Sequence, residues 1–220
     1  MSLAIFDLDN TLLAGDSDYL WGKFLARHGV VDSQWYEEEN RRYYAAYVAG
    51  TLDIYAFLAF SLQPLATTPP EQLAALHAQF MQECITPLIR PAAQQLVAKH
   101  REQGDTLLII TATNRFITAP IARAFGIDHL LATEAEMING RYTGKVADIP
   151  CFRDGKVRRL EAWLGVQGVA RAQVDRSWFY SDSHNDLFLM EWASDPVAID
   201  PDPQLRQVAQ ERAWPVLSLR

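Results

Sequence analysis

The chain has 220 residues, of which 49% are hydrophobic and 21% charged, and this is enough apolar surface for one α/β domain of ordinary size that carries an insertion. Its formal net charge of -7 is the wrong sign for a protein that neutralises nucleic-acid phosphates with Lys and Arg, so we expect no nucleic-acid partner. No apolar run approaches the roughly 20 residues that cross a bilayer, and the two cysteines lie far apart, so we expect a cytoplasmic protein with reduced thiols and no membrane partner.

The chain opens with a predicted strand. Leu3-Ala-Ile-Phe6 is a short apolar run, and two acidic residues, Asp7 and Asp9, follow it. An unbroken apolar run with polar residues at its carboxyl end is typical of a buried parallel strand. We expect this strand near the middle of an α/β sheet.

A helical insertion follows this strand. From Asp16 to about Leu88 the apolar residues recur at helical spacing and no strand is predicted. The fourth helix of the insertion begins at Thr68-Pro-Pro-Glu71, where we expect Thr68 to cap the helix, Pro69 to take its first position and Glu71 to complete a capping box. The first three helices are predicted near residues 19–25, 35–48 and 52–62.

Strands and helices alternate through the rest of the chain, which predicts a parallel sheet covered on both faces. The turn residues Asn139-Gly140 predict a hairpin over residues 136–145. Strands are predicted at 106–111, 129–132, 178–181, 196–199 and 216–217, and helices at 92–103, 116–125, 156–164 and 187–193. The expected domains are an α/β core at 1–15 and 89–220 and a helical cap subdomain at 16–88.

Polar residues end three of the predicted strands. Asp7 and Asp9 follow the first strand, Thr111 ends the second, and Asp182 follows the strand that ends at Ser181. Ligands collect outside the carboxyl ends of the strands in open parallel sheets. The sequence therefore predicts one site to which all three strands contribute.

Four segments carry a resemblance to a known family. They are Asp7-x-Asp9-x-Thr11, Leu107–Thr111, Gly155-Lys156 and Ser181–Asp186. In order and type they resemble the four motifs of the haloacid dehalogenase (HAD) superfamily. The helical insertion after the first motif resembles the cap of subfamily IB of this superfamily, which is the phosphoserine-phosphatase-like and histidinol-phosphatase-like branch. The resemblance implies a doubly wound, Rossmann-like core with an inserted four-helix cap. The chain departs from the branch in Ser181-Asp182-Ser183, which is commonly Gly-Asp-Gly, and in Asp16, which is commonly Glu.

The resemblance implies a phosphatase that forms an aspartyl-phosphate. Asp7 would be the nucleophile, and Asp9 would act as general acid and then as general base. Thr111 and Ala112 would bind the phosphoryl oxygens, and Lys156 would stabilise the developing negative charge.

The cofactor that the resemblance implies is Mg²⁺. The carboxylates of Asp7 and Asp182 and the backbone carbonyl of Asp9 would bind it, Asn185 would orient its neighbours, and Asp186 would support the ligands. Mg²⁺ is commonly held by one or two carboxylates together with water and phosphate oxygens, so this set suits the ion.

Two of these assignments have rivals. Lys145, in the predicted hairpin, competes with Lys156 for the role of the phosphate-binding cation. Asp16 matches the position that receives a substrate ammonium group in the resembling phosphatases, but an aspartate at a helix start can also serve as a helix cap. Asp18 lies two residues further along, and the sequence does not separate its role from that of Asp16.

The substrate is expected to be a small phosphomonoester, and an acidic, aromatic-rich insertion favours one that carries an amine. Phosphoserine would need a cation for its carboxylate, and Arg27, Arg41 and Arg42 are the candidates in the insertion. Histidinol phosphate needs no such cation. The two substrates rank equally, ahead of a sugar or lipid phosphate, and most of the insertion's aromatic residues are expected to form its own core.

Two other classes of protein stay open at this point. A non-catalytic aspartate phospho-acceptor module also places Asp, Thr and Lys at strand ends, although its acceptor is not followed by a helical insertion. A dehalogenase would keep Asp7 and need neither Asp9 nor a metal. The sequence makes no prediction of the oligomeric state.

Overall fold

The computed structural model describes residues 1–220 as an α/β fold. Its strands are β1 (Ser2–Phe6), β2 (Thr106–Asn114), β3 (His129–Thr133), β4 (Ala135–Ile138), β5 (Arg141–Val146), β6 (Arg176–Ser181), β7 (Asp195–Ile199) and β8 (Val216–Leu217). Its helices are α1 (Ser17–Arg27), α2 (Ser33–Val48), α3 (Ile54–Ser61), α4 (Gln63–Thr67), α5 (Pro70–Phe80), α6 (Pro91–Glu102), α7 (Arg115–Ala124), α8 (Asp154–Val166), α9 (Leu187–Trp192) and α10 (Pro203–Glu211). Six strands form a parallel sheet in the order β3-β2-β1-β6-β7-β8, and β4 and β5 form an antiparallel hairpin.

Strand β1 lies between β2 and β6, and its side chains enter two separate hydrophobic clusters. Ala4 and Phe6 belong to one cluster and Leu3 and Ile5 to the other. Successive side chains of a strand point to opposite faces of the sheet, so a strand covered on both faces is apolar at every position. The predicted central strand is confirmed.

Helices cover both faces of the sheet. Helices α6 and α7 enter the first cluster through Val97 and Ile121, and α8 and α10 enter the second through Leu160 and Leu205. This arrangement confirms the predicted doubly wound fold. None of the helices is both long and apolar enough to cross a membrane.

The insertion, residues 16–88, contains the four predicted helices and one more. Helix α4 is the addition, and Pro64 lies in its first turn, where the missing N–H costs no hydrogen bond. The predicted capping box is wrong, because α5 begins at Pro70 with no side-chain cap and Thr68 instead ends α4. Since Pro69 precedes another proline, the helical conformation is disfavoured for it, and its ψ of 140° is extended.

Helix α1 joins the insertion to the sheet. Its residues Trp21 and Phe24 belong to the same cluster as Phe6 of β1. On its other side α2 comes so close that a Cβ on Gly22 would lie 2.5 Å from Cε1 of Tyr36. The boundaries between core and cap stay a prediction.

The predicted hairpin is confirmed. Asn139 and Gly140 connect β4 to β5 with φ values of 53° and 76°. Positive φ at both positions is what a two-residue type I′ turn requires, and Asn-Gly is the sequence that adopts it most readily.

Candidate active site

Asp7 lies at the carboxyl end of β1, and its backbone N–H donates to the carbonyl of Tyr180 on the neighbouring strand (2.9 Å). Its side chain is buried, and the Lys156 ammonium donates to its Oδ1 at 2.7 Å. Burial raises the pKa of Asp7 to about 7, even though Lys156 lowers it. Asp7 is thus a buried carboxylate whose negative charge depends on an adjacent cation.

The turn after β1 connects Asp7 with Asp182. Asn10 adopts a φ of 58°, and the chain reverses so that Thr11 Oγ1 lies 3.3 Å from Asp7 Oδ2 and 3.1 Å from Asp182 Oδ1. The Asp182 backbone N–H also donates to this hydroxyl, at 3.1 Å. Thr11 stands in the first motif, where the sequence predicted no role for its side chain; the structure makes it the link between the first and fourth motifs.

Lys156 lies in the first turn of α8 and is only 3% exposed. Its ammonium donates to Asp7 Oδ1 and to Asp186 Oδ2, each at 2.7 Å, and Ser181 Oγ donates to the same Asp186 carboxylate. Its rival Lys145 is exposed on β5 and makes no ion pair. The structure therefore brings Lys156, and not Lys145, to the nucleophile candidate.

Negative charge exceeds positive charge around Asp7. Asp182 is half-buried, and burial, reinforced by Asp7 and Asp186, raises the pKa of Asp182 well above its usual value. Lys156 is the one cation beside these three carboxylates. Uncompensated charge is costly inside a protein, so the group favours binding a further cation.

The donor set suits Mg²⁺, which takes oxygen ligands and leaves several positions to water. The residues of this structure include no three His, Cys, Asp or Glu side chains that converge to hold a metal ion. Asp7 and Asp182, which share the Thr11 hydroxyl as a hydrogen-bond partner, would supply two carboxylates to a bound Mg²⁺, and the use of the Asp9 carbonyl stays a prediction.

Both carboxylate oxygens of Asp9 are hydrogen-bonded. Oδ1 accepts from the Ser17 backbone N–H at 2.6 Å, and Oδ2 accepts from Thr113 Oγ1 at 2.8 Å. Burial, and then the charge of Asp16, raises the pKa of Asp9 to about 6, against the opposing effect of these hydrogen bonds. Asp9 can therefore hold a proton close to neutral pH, as a general acid must.

Strand β2 supplies one wall of the site. It runs to Asn114, three residues beyond the predicted end, so that Thr111, Ala112 and Thr113 all lie along its carboxyl end. The Thr111 hydroxyl is buried and accepts from the Thr113 backbone N–H at 3.2 Å. Thr113 was not among the predicted site residues, although a second Thr two residues after Thr111 was the signal that could have indicated it.

Asp16 and Asp18 lie at the start of α1 and differ in their partners. Asp16 Oδ1 accepts from the Tyr19 backbone N–H at 2.9 Å and so caps the helix. Burial raises the pKa of both carboxyls.

Asn185 connects the fourth motif to the insertion. Its Nδ2 donates to the Tyr47 carbonyl at the end of α2 (3.2 Å), and its Oδ1 accepts from Arg153 Nε (3.2 Å). Arg153 also donates to the Gly50 carbonyl. Its φ of 51° is unusual for a non-glycine residue, and the sequence analysis overlooked it.

A cavity lies between the sheet and the insertion. Seven of the predicted site residues line it, whereas Asp182 and Asn185 do not. Five of the insertion's aromatic residues, which were expected mostly to form its core, also face it: Tyr19, Tyr43, Tyr44, Tyr47 and Phe57. The predicted site residues on the cavity wall are Asp7, Asp9, Asp16, Thr111, Ala112, Lys156 and Asp186.

Lys156 is the only Lys, Arg or His that lines the cavity. The three arginines considered as partners for a substrate carboxylate, Arg27, Arg41 and Arg42, are exposed and lie outside it. Arg42 is paired with Glu39 instead. Away from Lys156, the wall therefore offers carboxylates, two amides and aromatic rings.

Comparison with known proteins agrees with this geometry. The sequence model of the haloacid dehalogenase-like hydrolase family matches residues 4–191. A histidinol-phosphatase of Neisseria meningitidis serogroup C (strain 8013) is 44% identical over 220 residues, which covers 100% of this chain and 99% of the relative.

Two solved structures are similar to this one. A protein of unknown function from Bordetella pertussis Tohama I is 45% identical with a TM-score of 0.95, and the alignment covers 100% of this chain and 99% of that one. A phospho-aspartyl intermediate analogue of phosphoserine phosphatase shares the fold, with a TM-score of 0.71 at 17% identity over 100% of this chain and 93% of that one.

Proposed function

Because the chain belongs to the haloacid dehalogenase-like hydrolases and is a phosphatase, we propose that it hydrolyses histidinol phosphate in a Mg²⁺-dependent reaction with Asp7 as the nucleophile. The observation that carries the choice of substrate is the charge of the cavity, in which Lys156 is the only cation. Lys156 is already paired with Asp7 and Asp186, so a substrate carboxylate would be left without a partner.

This charge distribution separates the two substrates that the sequence left equal. Phosphoserine carries a carboxylate, and burying it beside Asp16 and Asp18 without a cation is unfavourable. Histidinol phosphate carries an ammonium group and an imidazole ring, which suit carboxylates and aromatic side chains. The 44% identity to a histidinol-phosphatase supports the same choice.

In the proposed reaction an Asp7 oxygen forms a bond to phosphorus while the bond from phosphorus to the substrate oxygen breaks. Asp9 gives its proton to the leaving oxygen. Water then attacks the aspartyl-phosphate, loses a proton to Asp9 and releases phosphate. Thr111 and the Ala112 backbone hold the phosphoryl oxygens, and Lys156 stabilises their charge. Mg²⁺, when bound by Asp7 and Asp182, would offset the repulsion between carboxylate and phosphate.

The proposal is tested by steady-state kinetics with histidinol phosphate, phosphoserine, glucose 6-phosphate and 4-nitrophenyl phosphate, each with Mg²⁺ and with excess EDTA. We expect kcat/KM for histidinol phosphate to exceed that for phosphoserine by about a hundredfold, because a buried charge without a partner costs about 3 kcal/mol. EDTA should stop all turnover. Equal or faster hydrolysis of phosphoserine would contradict the substrate proposal.

The nucleophile is tested separately with Asp7→Asn, which keeps the shape of the side chain and removes its charge. Turnover should fall to less than about a hundredth of the wild-type kcat for every phosphoester. A variant that folds, as judged by circular dichroism, and retains more activity than this would exclude Asp7 as the covalent residue.

A further inference from the structure

Five carboxylates line the cavity, and four of them are already hydrogen-bonded within the protein. Asp7 and Asp186 accept from Lys156, Asp9 accepts from Ser17 and Thr113, and Asp16 accepts from the Tyr19 backbone. The fifth is Asp18, which forms no hydrogen bond and no salt bridge.

A second acceptor on the same wall is also without a donor. Asn40 is 5% exposed and lines the cavity from α2. Its amide nitrogen donates to the Tyr19 carbonyl at 3.1 Å. Because a carbonyl can only accept, this bond fixes the orientation of the amide and leaves Oδ1 as a free acceptor.

Aromatic rings line the same cavity. The ring centroids of Tyr19 and Tyr44 lie 5.6 Å apart, and those of Tyr43 and Phe57 lie 5.4 Å apart. All four residues line the cavity. Two free acceptors among electron-rich rings suit a positively charged nitrogen group, which donates hydrogen bonds and is attracted to the faces of aromatic rings.

We propose that Asp18, assisted by Asn40, binds the cationic nitrogen end of the substrate and is the specificity-determining residue of the cavity. The proposed reaction places the phosphoryl group at Asp7 and Lys156, which the α/β core contributes to the cavity. The substrate class is thus a phosphomonoester with an N–H cation and no carboxylate at its far end. This assignment rests on the proposed function, and it gives Asp16 the role of helix cap.

The competing interpretation is that Asp18 only interacts with the positive N-terminal end of α1, where acidic residues are mildly stabilising. That role predicts a small loss of stability and no change in selectivity. The two roles therefore differ in the ratio of kcat/KM for histidinol phosphate to kcat/KM for 4-nitrophenyl phosphate, which carries no cation.

The test compares Asp18→Asn with Asp16→Asn and with Asp32→Asn, an exposed helix-cap aspartate at the start of α2. We expect Asp18→Asn to lower the selectivity ratio by about thirtyfold, the loss expected for a charge-assisted hydrogen bond. Asp32→Asn should leave the ratio unchanged. If Asp18→Asn leaves the ratio within about threefold of wild type, or if Asp16→Asn lowers it more, the proposal is wrong.

Inhibition by histidinol gives a second readout, because it reports binding of the nitrogen end without phosphoryl transfer. Its Ki against 4-nitrophenyl phosphate should rise at least about tenfold in Asp18→Asn; an unchanged Ki would overturn the proposal. Asp18→Ser serves if the Asn variant does not fold. Failure of the proposed function is seen separately, since it would appear in the wild-type enzyme as a preference for phosphoserine.

Discussion

At the scale of single residues, the protonation state of Lys156 depends on the neighbouring carboxylates more than on its own burial. Burial alone would lower its pKa, but Asp186 and Asp7 together raise the pKa of Lys156 above its usual value. The ammonium is therefore charged when the substrate arrives. The same ion pairs keep Asp7 close to the start of α8, where the proposed reaction also places the phosphoryl group.

Removal of this cation should damage both catalysis and stability. We expect Lys156→Ala to lower kcat/KM by at least about a hundredfold, because the charge that faces the transferring group is lost. It should also cost about 3 kcal/mol of folding free energy, because Asp7 and Asp186 remain buried without their partner.

Lys145→Ala is the matched control for this change, since it removes an exposed lysine with no ion pair. Its kcat/KM and urea midpoint should stay close to those of the wild type. A larger loss of activity in Lys145→Ala than in Lys156→Ala would mean that the third motif has been misplaced.

The motif residues could be read from the sequence because their types and order are constrained by the chemistry. Asp7, Thr111 and Lys156 stand at strand or helix ends that local patterns already predict. The role of Asp18 could not be predicted in the same way, because Asp16 and Asp18 are the same residue type on the same turn. Only the hydrogen bond from Tyr19 to Asp16 distinguishes them.

At the scale of elements, the start of α8 is held by a close backbone contact. A Cβ on Gly155 would lie 2.2 Å from the carbonyl oxygen of Pro150, which is backbone and cannot move aside cheaply. Gly155 is therefore needed for close approach of two segments, and it immediately precedes Lys156.

We expect Gly155→Ala to displace the first turn of α8 and with it Lys156. Folding stability should fall by about 2 kcal/mol, in the range found for overpacking. The fold-change in kcat should be larger than the fold-change in KM. Gly165 lies in the same helix with nothing near its Cβ position. Gly165→Ala should therefore be neutral or slightly stabilising. Equal behaviour of the two variants in thermal melts and kinetics would refute this role of Gly155.

Arg153 and Asn185 hold the end of α2 against the core through the carbonyls of Gly50 and Tyr47. Loss of the Arg153 guanidinium should let this end of the insertion separate from the core more often. This should raise KM by a larger factor than it lowers kcat. For Arg153→Ala we expect an increase in KM of about fivefold, equivalent to one ordinary hydrogen bond. Arg158→Ala, which removes an exposed arginine of α8, is the control, and an equal KM in both variants would contradict this role.

Most elements were predictable because their patterns are local, whereas the errors arose where two local signals compete. Thr68 and Glu71 have the spacing of a capping box, but Pro69 and Pro70 between them impose an extended backbone that moves the helix start. The extension of β2 to Asn114 could not be predicted either, because Thr111-Ala-Thr113 is compatible with both a strand and a loop.

At the scale of the whole molecule, the sheet and the insertion share one hydrophobic cluster. Trp21 and Phe24 of α1, Phe80 of α5 and Ile117 of α7 all belong to it. One wall of the substrate cavity is therefore built on the same packing that stabilises the sheet. The sequence indicated the insertion's helices from their periodicity, but not which aromatic residues would face the cavity, because that depends on how the helices are rotated against the core.

The excess of carboxylates predicts that Mg²⁺ stabilises the entire fold. A ligand at one hundred times its Kd adds about 2.7 kcal/mol to the free energy of unfolding. For a chain of this size each kcal/mol corresponds to about 2–4 °C. We therefore expect saturating Mg²⁺ to raise Tm by about 5–10 °C relative to excess EDTA, as measured by differential scanning calorimetry.

The variant Asp182→Asn separates a specific Mg²⁺ site from a general salt effect. It should affect the Tm in EDTA and the rise in Tm on adding Mg²⁺ differently. In EDTA its Tm should equal or exceed that of the wild type, because it removes one of three neighbouring carboxylates that repel each other. In Mg²⁺ its Tm should rise by less than about 2 °C, because the amide is a weaker ligand than the carboxylate. Asp128→Asn, which changes an exposed aspartate remote from the site, should keep the full wild-type shift. If Asp182→Asn keeps that shift as well, the cation binds elsewhere and Asp182 is not its ligand.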